Sequence, residues 1–384
     1  MNLFLTLLVF IITCFSSISP AYGLATPPLE QRYFIRVAIL KEAKEFTLSV
    51  KGRFEICAPY TDQVLQESQG LHKAKVVPIP AGIKINKYPF KICAIKIKPK
   101  REAAIFLNRY RLRGNLEIIR QKNGRLLAIN EVDIEDYLCG VLRAEVSPHW
   151  PMEVLKAQAV AARTFALYQA LANKDKDYAL DNTIYSQLYG GVRQETWRTR
   201  RAVYQTKGEV LKYKGKLFPA FFHAICGGHT EDASKLWKID IPPLKGVNCP
   251  FCFRSPYYHW RARIPLERIR ERLNKEGYKI EKILSLSCLG YDESGRVERI
   301  EIRTKKREVE IPANRFRLLI GSNLIRSTNF RVKTRGDKVI FEGIGWGHGV
   351  GLCQWGAYFM AKRGFDYHQI LEYYYPQAKI VRLY

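Results

Sequence analysis

The sequence predicts an α+β protein with a β-rich N-terminal domain followed by a domain of mixed helices and strands. Three observations support this prediction. Residues 31–128 alternate apolar and polar side chains in short runs, which is the period of half-buried strands. Two helix-period patterns follow at 133–166, and strand and helix patterns then alternate to the C-terminus. A chain of 384 residues, 47% of them hydrophobic, is long enough for two domains, which we place at 24–128 and 129–384.

The first 23 residues have the pattern of a secretory signal peptide. An apolar run from Leu3 to about Phe15 is shorter than the roughly 18–20 apolar residues of a transmembrane helix, and Ala21-Tyr22-Gly23 offers a small-x-small cleavage site. No Lys or Arg precedes the run, so a retained N-terminal anchor in residues 1–23, with membrane anchoring, is the alternative. In both cases we expect an exported protein of the periplasm or cell envelope.

Turn residues divide the N-terminal domain into strands. The runs at 33–40 and 91–98 alternate apolar and polar side chains, and turn residues separate them from their neighbours. The dipeptide Asn123-Gly124 is a strong signal for a tight hairpin between two strands.

Two consecutive helices are predicted next. Within 133–145 the apolar residues recur at i, i+3, i+4, i+7 and i+8, the stripe of an amphipathic helix. These residues are Ile134, Tyr137, Leu138, Val141 and Leu142. The second helix is expected to have Pro148 or Pro151 in its first position and Ser147 or Trp150 as its cap, and it runs through an alanine-rich stretch to about residue 166. A stiff elbow between two packed helices follows from this pattern.

The remaining patterns predict several further strands and helices. The strands are expected at 208–214, at 217–223 and, as a pair, within 296–311, and the helices at 265–277, 352–363 and 366–375.

Glu145 stands at the elbow, where a carboxylate is not expected. It follows Val141 by four residues and Leu142 by three, so it continues the buried stripe of the first helix. It also falls in the last turn, where the helix dipole opposes a negative charge. Both effects raise the pKa of its carboxyl, as a general acid working near neutral pH requires. The alternative is a partly exposed Glu145 that forms an ion pair with a neighbour such as Arg143.

The formal net charge of +27 restricts the classes of partner. Such a surface suits anionic wall polymers, anionic lipid or nucleic acid. The positive charge is spread along the chain, and zinc-finger, RNP and basic-zipper patterns are absent from the sequence. We therefore do not expect a nucleic-acid partner.

A block of alternate glycines spans 343–356. It lacks the G-x-G-x-x-G and P-loop patterns, so nucleotide binding is not supported. Alternate glycines would leave one face of an extended segment bare, so that a sugar ring could come close. His348, Gln354, Trp346 and Trp355 could supply hydrogen bonds and stacking faces there. The alternative is tight packing of this segment against the alanine-rich helix.

Four ordered blocks resemble the SpoIID/LytB family, the stage II sporulation D proteins and amidase enhancers. The C-terminal block, at 345–361, has the sequence Gly-x-Gly-His-Gly-Val-Gly-Leu-Cys-Gln-x-Gly-Ala-x-x-Met-Ala. The longest block, at 145–166, begins with Glu-Val-x-Pro-x-Trp-Pro and also contains Ala-Gln-Ala-Val-Ala-Ala-Arg-Thr-Phe-Ala. The other two are Phe-His-Ala-x-Cys-Gly-Gly-x-Thr-Glu at 222–231 and Gln-x-Tyr-Gly-Gly at 187–191. Together the blocks place the resemblance at about 129–384, and residues 24–128 carry none of it.

This resemblance implies a peptidoglycan lytic transglycosylase that acts on glycan strands, often after their stem peptides have been removed. Glu145 would be the catalyst, protonating the bond between N-acetylmuramic acid and N-acetylglucosamine and then accepting the proton of the C6 hydroxyl, which gives 1,6-anhydro-muramic acid. One carboxyl is enough and no catalytic cofactor is needed. Other members of the family are described only as enhancers of a wall amidase. The alternative function is therefore that of a non-catalytic module that binds peptidoglycan.

The motif blocks also give the candidate substrate contacts. These are Gln187, Tyr189, His223, Thr230, His348 and Gln354. For His223 a hydrogen-bonded core histidine is an equal alternative.

Cysteine spacing suggests a structural zinc site. Cys226-x-x-His229 and Cys249-x-x-Cys252 have the spacing of tetrahedral zinc ligands, and they would hold the loop 224–252. A disulfide among the three cysteines is the alternative, because an exported protein meets oxidising conditions. Some family members carry a zinc site with a Cys just before the Gln-x-Tyr-Gly motif, where this chain has Ser186, so that site is not expected. The remaining cysteines are expected to be small buried hydrophobic residues or members of disulfides that the sequence does not pair. They are Cys57, Cys93, Cys139, Cys288 and Cys353.

Overall fold

The computed structural model describes residues 32–183 and 186–384, and this part of the chain contains 22 strands and eight helices. The predicted signal peptide or anchor at 1–23 lies outside the described residues. Among the helices described, none combines the length and the apolar character needed to span a membrane. The mixture of strands and helices confirms the predicted α+β class.

The N-terminal part is a large antiparallel sheet. Its strands are β1 Phe34–Ala43, β2 Phe46–Cys57, β3 Val64–Ile79, β4 Gly82–Ile85, β5 Tyr88–Phe90, β6 Ala94–Pro99, β7 Ala104–Leu107, β8 Tyr110–Leu112, β9 Asn115–Arg120 and β10 Leu126–Asp133. They run in the order β1-β10-β9-β6-β2-β3-β4-β5, and β7 joins β2 to β8. The predicted hairpin is confirmed, because Gly124 has a φ of +74° in the turn that connects the antiparallel strands β9 and β10.

The helical part follows without a break. It contains α1 Ile134–Glu145, α2 Met152–Ala172, β11 Leu180–Asp181, α3 Trp197–Gln205, β12 Glu209–Tyr213, β13 Lys216–Leu217, β14 Phe222–His223 and α4 Ala233–Trp237. The predicted domain division after residue 128 falls inside β10, and β11 pairs with β1 as a further strand of the large sheet. Residues on both sides of the division share one hydrophobic core. Strand alternation continues to residue 133, so β10 leads directly into α1.

An insert at 259–344 has its own core. It consists of β15 His259–Pro265, α5 Leu266–Lys275, β16 Ile283–Tyr291, β17 Val297–Thr304, β18 Glu308–Pro312, α6 Ala313–Ile320, β19 Phe330–Arg335 and β20 Lys338–Ile344. Two three-stranded sheets, β15-β20-β19 and β16-β17-β18, enclose apolar residues such as Trp260, Phe316 and Phe341. His259 is paired with Ile344, so the insert begins and ends at adjacent positions.

The C-terminal elements return to the body of the protein. They are β21 Leu352–Cys353, α7 Gln354–Lys362, α8 Tyr367–Tyr374 and β22 Lys379–Arg382. β21 pairs in parallel with β14, and β22 pairs with β12. The C-terminal segments therefore lie against the strand that carries His223.

The two predicted consecutive helices are confirmed as α1 and α2. All five apolar residues of the predicted stripe of α1 are completely buried. Burial of each such side chain contributes about 1.5–3 kcal/mol, an upper estimate because unfolded chains already bury part of this surface. The start of α2 differs from the prediction by one position, because Pro151 is itself the N-cap and Met152 the first helical residue.

Candidate active site

Glu145 is the last residue of α1, as the sequence predicts, and its side chain is half-buried. Its Oε1 accepts a hydrogen bond of 3.1 Å from the backbone N–H of Leu188. No Lys, Arg or His within 32–183 and 186–384 forms an ion pair with it, so the alternative pairing with Arg143 is not found in this part of the chain. Burial raises the pKa of the Glu145 carboxyl, and the single Leu188 hydrogen bond opposes that shift only in part. The result is a carboxyl that keeps its proton to higher pH than an ordinary Glu.

Gln187 and Tyr189 hold the Leu188 N–H in place. The side-chain oxygen of Gln187 accepts a hydrogen bond of 2.8 Å from the Tyr137 hydroxyl, and its amide donates to the Ala162 carbonyl. The Tyr189 hydroxyl donates to Asn130 at 3.0 Å. Both side chains are almost completely buried, so the contacts in the structure give them a positioning role, and substrate contact by either residue stays a prediction.

A buried ion pair joins the start of α1 to the middle of α2. Arg163 on α2 is fully buried and donates two hydrogen bonds, of 3.0 and 2.6 Å, to the carboxylate of Glu135 on α1. Glu135 also accepts bonds from the Gly208 N–H and the Tyr384 hydroxyl. Three other parts of the chain, at Arg163, Gly208 and Tyr384, therefore hold the start of the helix that ends at Glu145.

His223 and His348 form an enclosed pair. Their ring centroids are 5.6 Å apart. Burial, with the positive charge of Arg296 as a second cause, lowers the pKa of His223 to about 3, and burial lowers the pKa of His348 well below its usual range. Both rings are neutral at pH 7, so neither is a proton donor of the imidazolium type. The Nε2 atom of His223 is buried and has no hydrogen-bond partner among the described residues. Substrate contact by either ring stays a prediction.

Gln354 and Thr230 are bonded within the protein. Gln354 donates to the Gln158 side chain on α2 at 3.3 Å, and the Thr230 hydroxyl accepts a bond of 2.6 Å from the Val247 N–H. Both side chains are at least nine-tenths buried. The structure gives them roles in joining segments, and their contact with substrate remains a prediction.

Glu231 is a further carboxyl with a raised pKa, which burial brings to about 7. It is 3% exposed, and it accepts hydrogen bonds from the Asp232 N–H and the Ser294 hydroxyl beside the guanidinium of Arg296. Glu231 is therefore enclosed between its own segment and Ser294 of the insert. Glu145 is more open and accepts a hydrogen bond from the Leu188 N–H, so it is the better candidate for proton transfer to a ligand.

The glycine block differs from its sequence interpretation. Gly345, Gly347, Gly349 and Gly351 all have positive φ, so the segment is not an extended strand with one bare face. A Cβ on Gly347 would lie 2.8 Å from the Cβ of His223, and a Cβ on Gly351 would lie 2.1 Å from the Phe221 carbonyl oxygen. The block packs against the β14 segment and Arg296, and its C-terminal end contacts the alanine-rich helix through Gln354 and Gln158. The structure therefore supports the packing alternative and not an open face on an extended strand.

We expect Gly351→Ala to unfold at a clearly lower denaturant concentration than the wild type. A positive φ costs an alanine about 1–2 kcal/mol, and the clash with the Phe221 carbonyl adds to that cost because the backbone must move. Gly364→Ala is the matched control, because Gly364 also has a positive φ (+93°) but open space around its Cβ position. Equal losses in the two variants, measured by urea unfolding, would contradict a packing role for Gly351.

Aromatic side chains near the elbow were not predicted as a group. Trp150, in the α1–α2 junction, packs edge-on against Trp355, with ring centroids 5.0 Å apart. The ring centroid of Tyr257 lies 6.1 Å from those of both Trp346 and Trp355, and about half of the surface of Tyr257 is exposed. We call Trp150, Tyr257, Trp346 and Trp355 the aromatic surface. The sequence interpretation included Trp346 and Trp355 as stacking faces, whereas Trp150 was read only as a helix cap.

Arg326 extends the aromatic surface into the insert. Its guanidinium lies 4.5 Å from the centroid of the Trp346 ring, a cation–π contact. Aromatic rings with a cation beside them suit a sugar that carries an anionic substituent.

Four cysteine side chains converge close to these segments. The Sγ atoms of Cys226, Cys249, Cys252 and Cys353 all lie within 4.8 Å of one another, and all four residues are buried. We call them the cysteine cluster. The predicted ligand His229 is not part of this group of converging atoms. Its Nδ1 lies 2.7 Å from the Thr230 carbonyl oxygen. Cys353, which showed no metal spacing in the sequence, takes the fourth position.

A cavity of about 960 Å³ lies on the insert and is separate from these groups. His259, Tyr291, Asn329 and Arg331 are among its lining residues, and none of the predicted site residues lines it. Glu145, whose carboxyl has a raised pKa, and Trp150 of the aromatic surface instead lie at the elbow.

Comparisons with known proteins agree with this part of the fold. Residues 122–213 match the family model described as stage II sporulation protein, and residues 249–351 match a domain of unknown function. An uncharacterized protein of Brachyspira hyodysenteriae is 34% identical over 90% of this chain and 92% of its own length. Stage II sporulation protein D of Bacillus subtilis is 30% identical over 66% of this chain and 76% of its own length. The amidase enhancer of Bacillus subtilis is 29% identical over 62% of this chain, which covers 39% of that longer protein.

Proposed function

The chain belongs to the SpoIID family, and from this premise we propose that it is a lytic transglycosylase of peptidoglycan glycan strands. The observation that carries the proposal is Glu145, a half-buried carboxyl with a raised pKa at a braced helix junction. An acid of this kind can protonate a leaving group near neutral pH.

The proposed reaction needs one carboxyl and no water. Protonated Glu145 donates its proton to the glycosidic oxygen between N-acetylmuramic acid and N-acetylglucosamine, and the bond from the muramic acid C1 to that oxygen breaks. The C6 hydroxyl of the same muramic acid then forms a bond to C1, and its proton returns to the Glu145 carboxylate. The product ends in 1,6-anhydro-muramic acid, and Glu145 is protonated again for the next cycle. Since the nucleophile belongs to the substrate, the second carboxylate of an ordinary glycosidase is not required.

The charge and the aromatic side chains of the protein favour a polymeric, anionic substrate. The net charge of +27 favours association with wall polymers. The aromatic surface supplies stacking faces for sugar rings, and Arg326 adds a cation beside them. Glycan strands without stem peptides would approach these aromatic rings more closely, so we propose that an amidase acts before this protein. The place of action would be the cell envelope.

The test is product analysis on two forms of peptidoglycan. Purified protein is incubated with intact and with amidase-treated material, and soluble fragments are identified by mass spectrometry. We expect fragments ending in 1,6-anhydro-muramic acid, with a higher yield from the amidase-treated form. Fragments with a reducing muramic acid would indicate hydrolysis, and no release from either material would contradict the enzyme.

A second candidate function is a non-catalytic wall-binding module that enhances an amidase. The similarity to a protein named amidase enhancer favours it. This module would bind peptidoglycan and raise the rate of stem-peptide removal by an added wall amidase, with no anhydro product. The same digestion with amidase present therefore separates the two functions.

A further inference from the structure

We propose that the cysteine cluster binds one zinc ion through four thiolates. Its ligands would be Cys226, Cys249, Cys252 and Cys353, so that the fourth ligand is Cys353 and not His229. The site would tie both ends of the insert to the strand that carries His223.

The sulfur geometry fits a tetrahedral zinc ion. A Zn–S bond of about 2.3 Å places tetrahedral ligands roughly 3.8 Å apart. The four Sγ atoms lie within 4.8 Å of one another, and those of Cys226 and Cys252 are 3.4 Å apart. A disulfide needs about 2.05 Å, and no cysteine of the described residues is bonded at that distance. One cation can use all four sulfurs without moving the backbone far.

Polar groups around the cluster are arranged for thiolates. The Cys353 sulfur caps the N-terminus of α7 and accepts hydrogen bonds of 3.3 Å from the N–H groups of Cys226 and Gly356. The Tyr374 hydroxyl lies 3.1 Å from the sulfur of Cys249. Hydrogen bonds of this kind orient metal ligands and stabilise their negative charge.

Arg296 provides a compensating charge. A zinc ion with four thiolates carries a net negative charge, which is costly in an apolar core. Arg296 is 1% exposed and donates to the carbonyl of Cys226 at 2.5 Å and to that of His229 at 3.0 Å. A buried guanidinium beside the first ligand therefore offsets the charge that the site would introduce.

The position of the ligands defines a structural role. Cys226 follows β14, Cys249 and Cys252 lie just before the insert, and Cys353 lies just after it. The segment around Cys226 and the segment that precedes Cys353 are already joined by the Ile225–Trp346 and Glu231–Val350 bridges. A metal at this point would fix the orientation of the insert and, through Trp346 and Trp355, of the aromatic surface.

The first test measures metal in the chain purified without added zinc or reductant. We expect one zinc per chain by plasma mass spectrometry, and four thiols that react with a disulfide reagent only after a chelator removes the metal. An intact mass that is two hydrogens lighter for each pair of these cysteines, with no metal, would show disulfides and overturn the proposal.

The second test assigns the fourth ligand. Cys353→Ser should lose most of the zinc, whereas His229→Ala and the control Cys288→Ser, on β16 outside the cluster, should keep one ion per chain. If Cys353→Ser does not fold, cobalt substitution of the wild-type chain gives the answer, since the sulfur-to-cobalt charge-transfer band of four thiolates is stronger than that of three thiolates and one imidazole. Loss of zinc in His229→Ala with retention in Cys353→Ser would overturn this ligand set.

Discussion

Glu145→Gln is expected to reduce release of anhydro-muramyl fragments by about 10²–10⁴-fold, the range that general acid–base catalysis contributes. The amide has the shape of the carboxyl and keeps an oxygen for the Leu188 N–H, which the carboxyl binds at 3.1 Å. It has no proton to give to the glycosidic oxygen. Initial rates on amidase-treated glycan strands, followed by liquid chromatography and mass spectrometry, measure the loss.

Two controls separate chemistry from folding and binding. Glu276→Gln makes the same change on an exposed residue of the insert and should keep full activity. Sedimentation with insoluble peptidoglycan should show that Glu145→Gln still binds. Turnover of Glu145→Gln within threefold of the wild type would remove Glu145 from the catalytic role.

The raised pKa of Glu145 also sets the sign of two pH effects in this comparison. Activity of the wild type requires the protonated carboxyl, so kcat should fall as the pH rises through that pKa. The stabilising contribution of the buried neutral carboxyl is fully present below the unfolded-state pKa and is lost as the pH rises through the folded-state pKa. At neutral pH the Gln variant should therefore be no less stable than the wild type by thermal unfolding, which shows that its inactivity is chemical.

Local sequence patterns were sufficient for the secondary structure around the site. The stripe from Ile134 to Leu142 has the period of one helix face, and all of its apolar residues are buried. The same spacing placed Glu145 at the end of that face, because the position of a helical residue follows from its neighbours within two turns. The alternation in the N-terminal domain likewise predicted its strands.

Long-range contacts could not be read from the same patterns. Cys353 lies 101 residues after Cys252, separated by the whole insert, so spacing gave no reason to group it with Cys226 and Cys249. The glycine block was misread because alternation in sequence does not specify φ; the close approach of the β14 segment does. The buried hydrogen bonds of Gln187 and Tyr189 were not foreseen, because polar and aromatic side chains in a motif suit both a ligand and a buried network. Their contact with substrate stays a prediction.

The elbow combines two kinds of support for one carboxyl. The loop held by Gln187 and Tyr189 supplies the hydrogen bond to Glu145, and the Arg163–Glu135 pair fixes α1 against α2. The first partly opposes the rise in the Glu145 pKa that burial causes, and the second holds the helix that carries the acid. Loss of the second should therefore appear in stability before it appears in the chemistry of the acid.

Arg163→Met is expected to destabilise the protein by about 3–5 kcal/mol, the cost of leaving one partner of a buried ion pair without the other. Arg163 is fully buried, and its removal would leave the Glu135 carboxylate, which is 3% exposed, with the Tyr384 hydroxyl and the Gly208 N–H as its remaining partners. The backbone carbonyls of Val203 and Glu209 would also lose their donor. Urea unfolding followed by circular dichroism gives the change in free energy of unfolding.

The double variant Arg163→Met/Glu135→Gln tests the cause. A neutral amide at 135 keeps an oxygen for the Tyr384 hydroxyl and removes the uncompensated charge, so the double variant should be more stable than Arg163→Met alone. Arg193→Met, at an exposed position, makes the same change outside the network and should alter the free energy of unfolding by less than about 0.5 kcal/mol. If the double variant is less stable than Arg163→Met by the full effect of Glu135→Gln alone, the two residues are not coupled, and the elbow owes its rigidity to apolar packing.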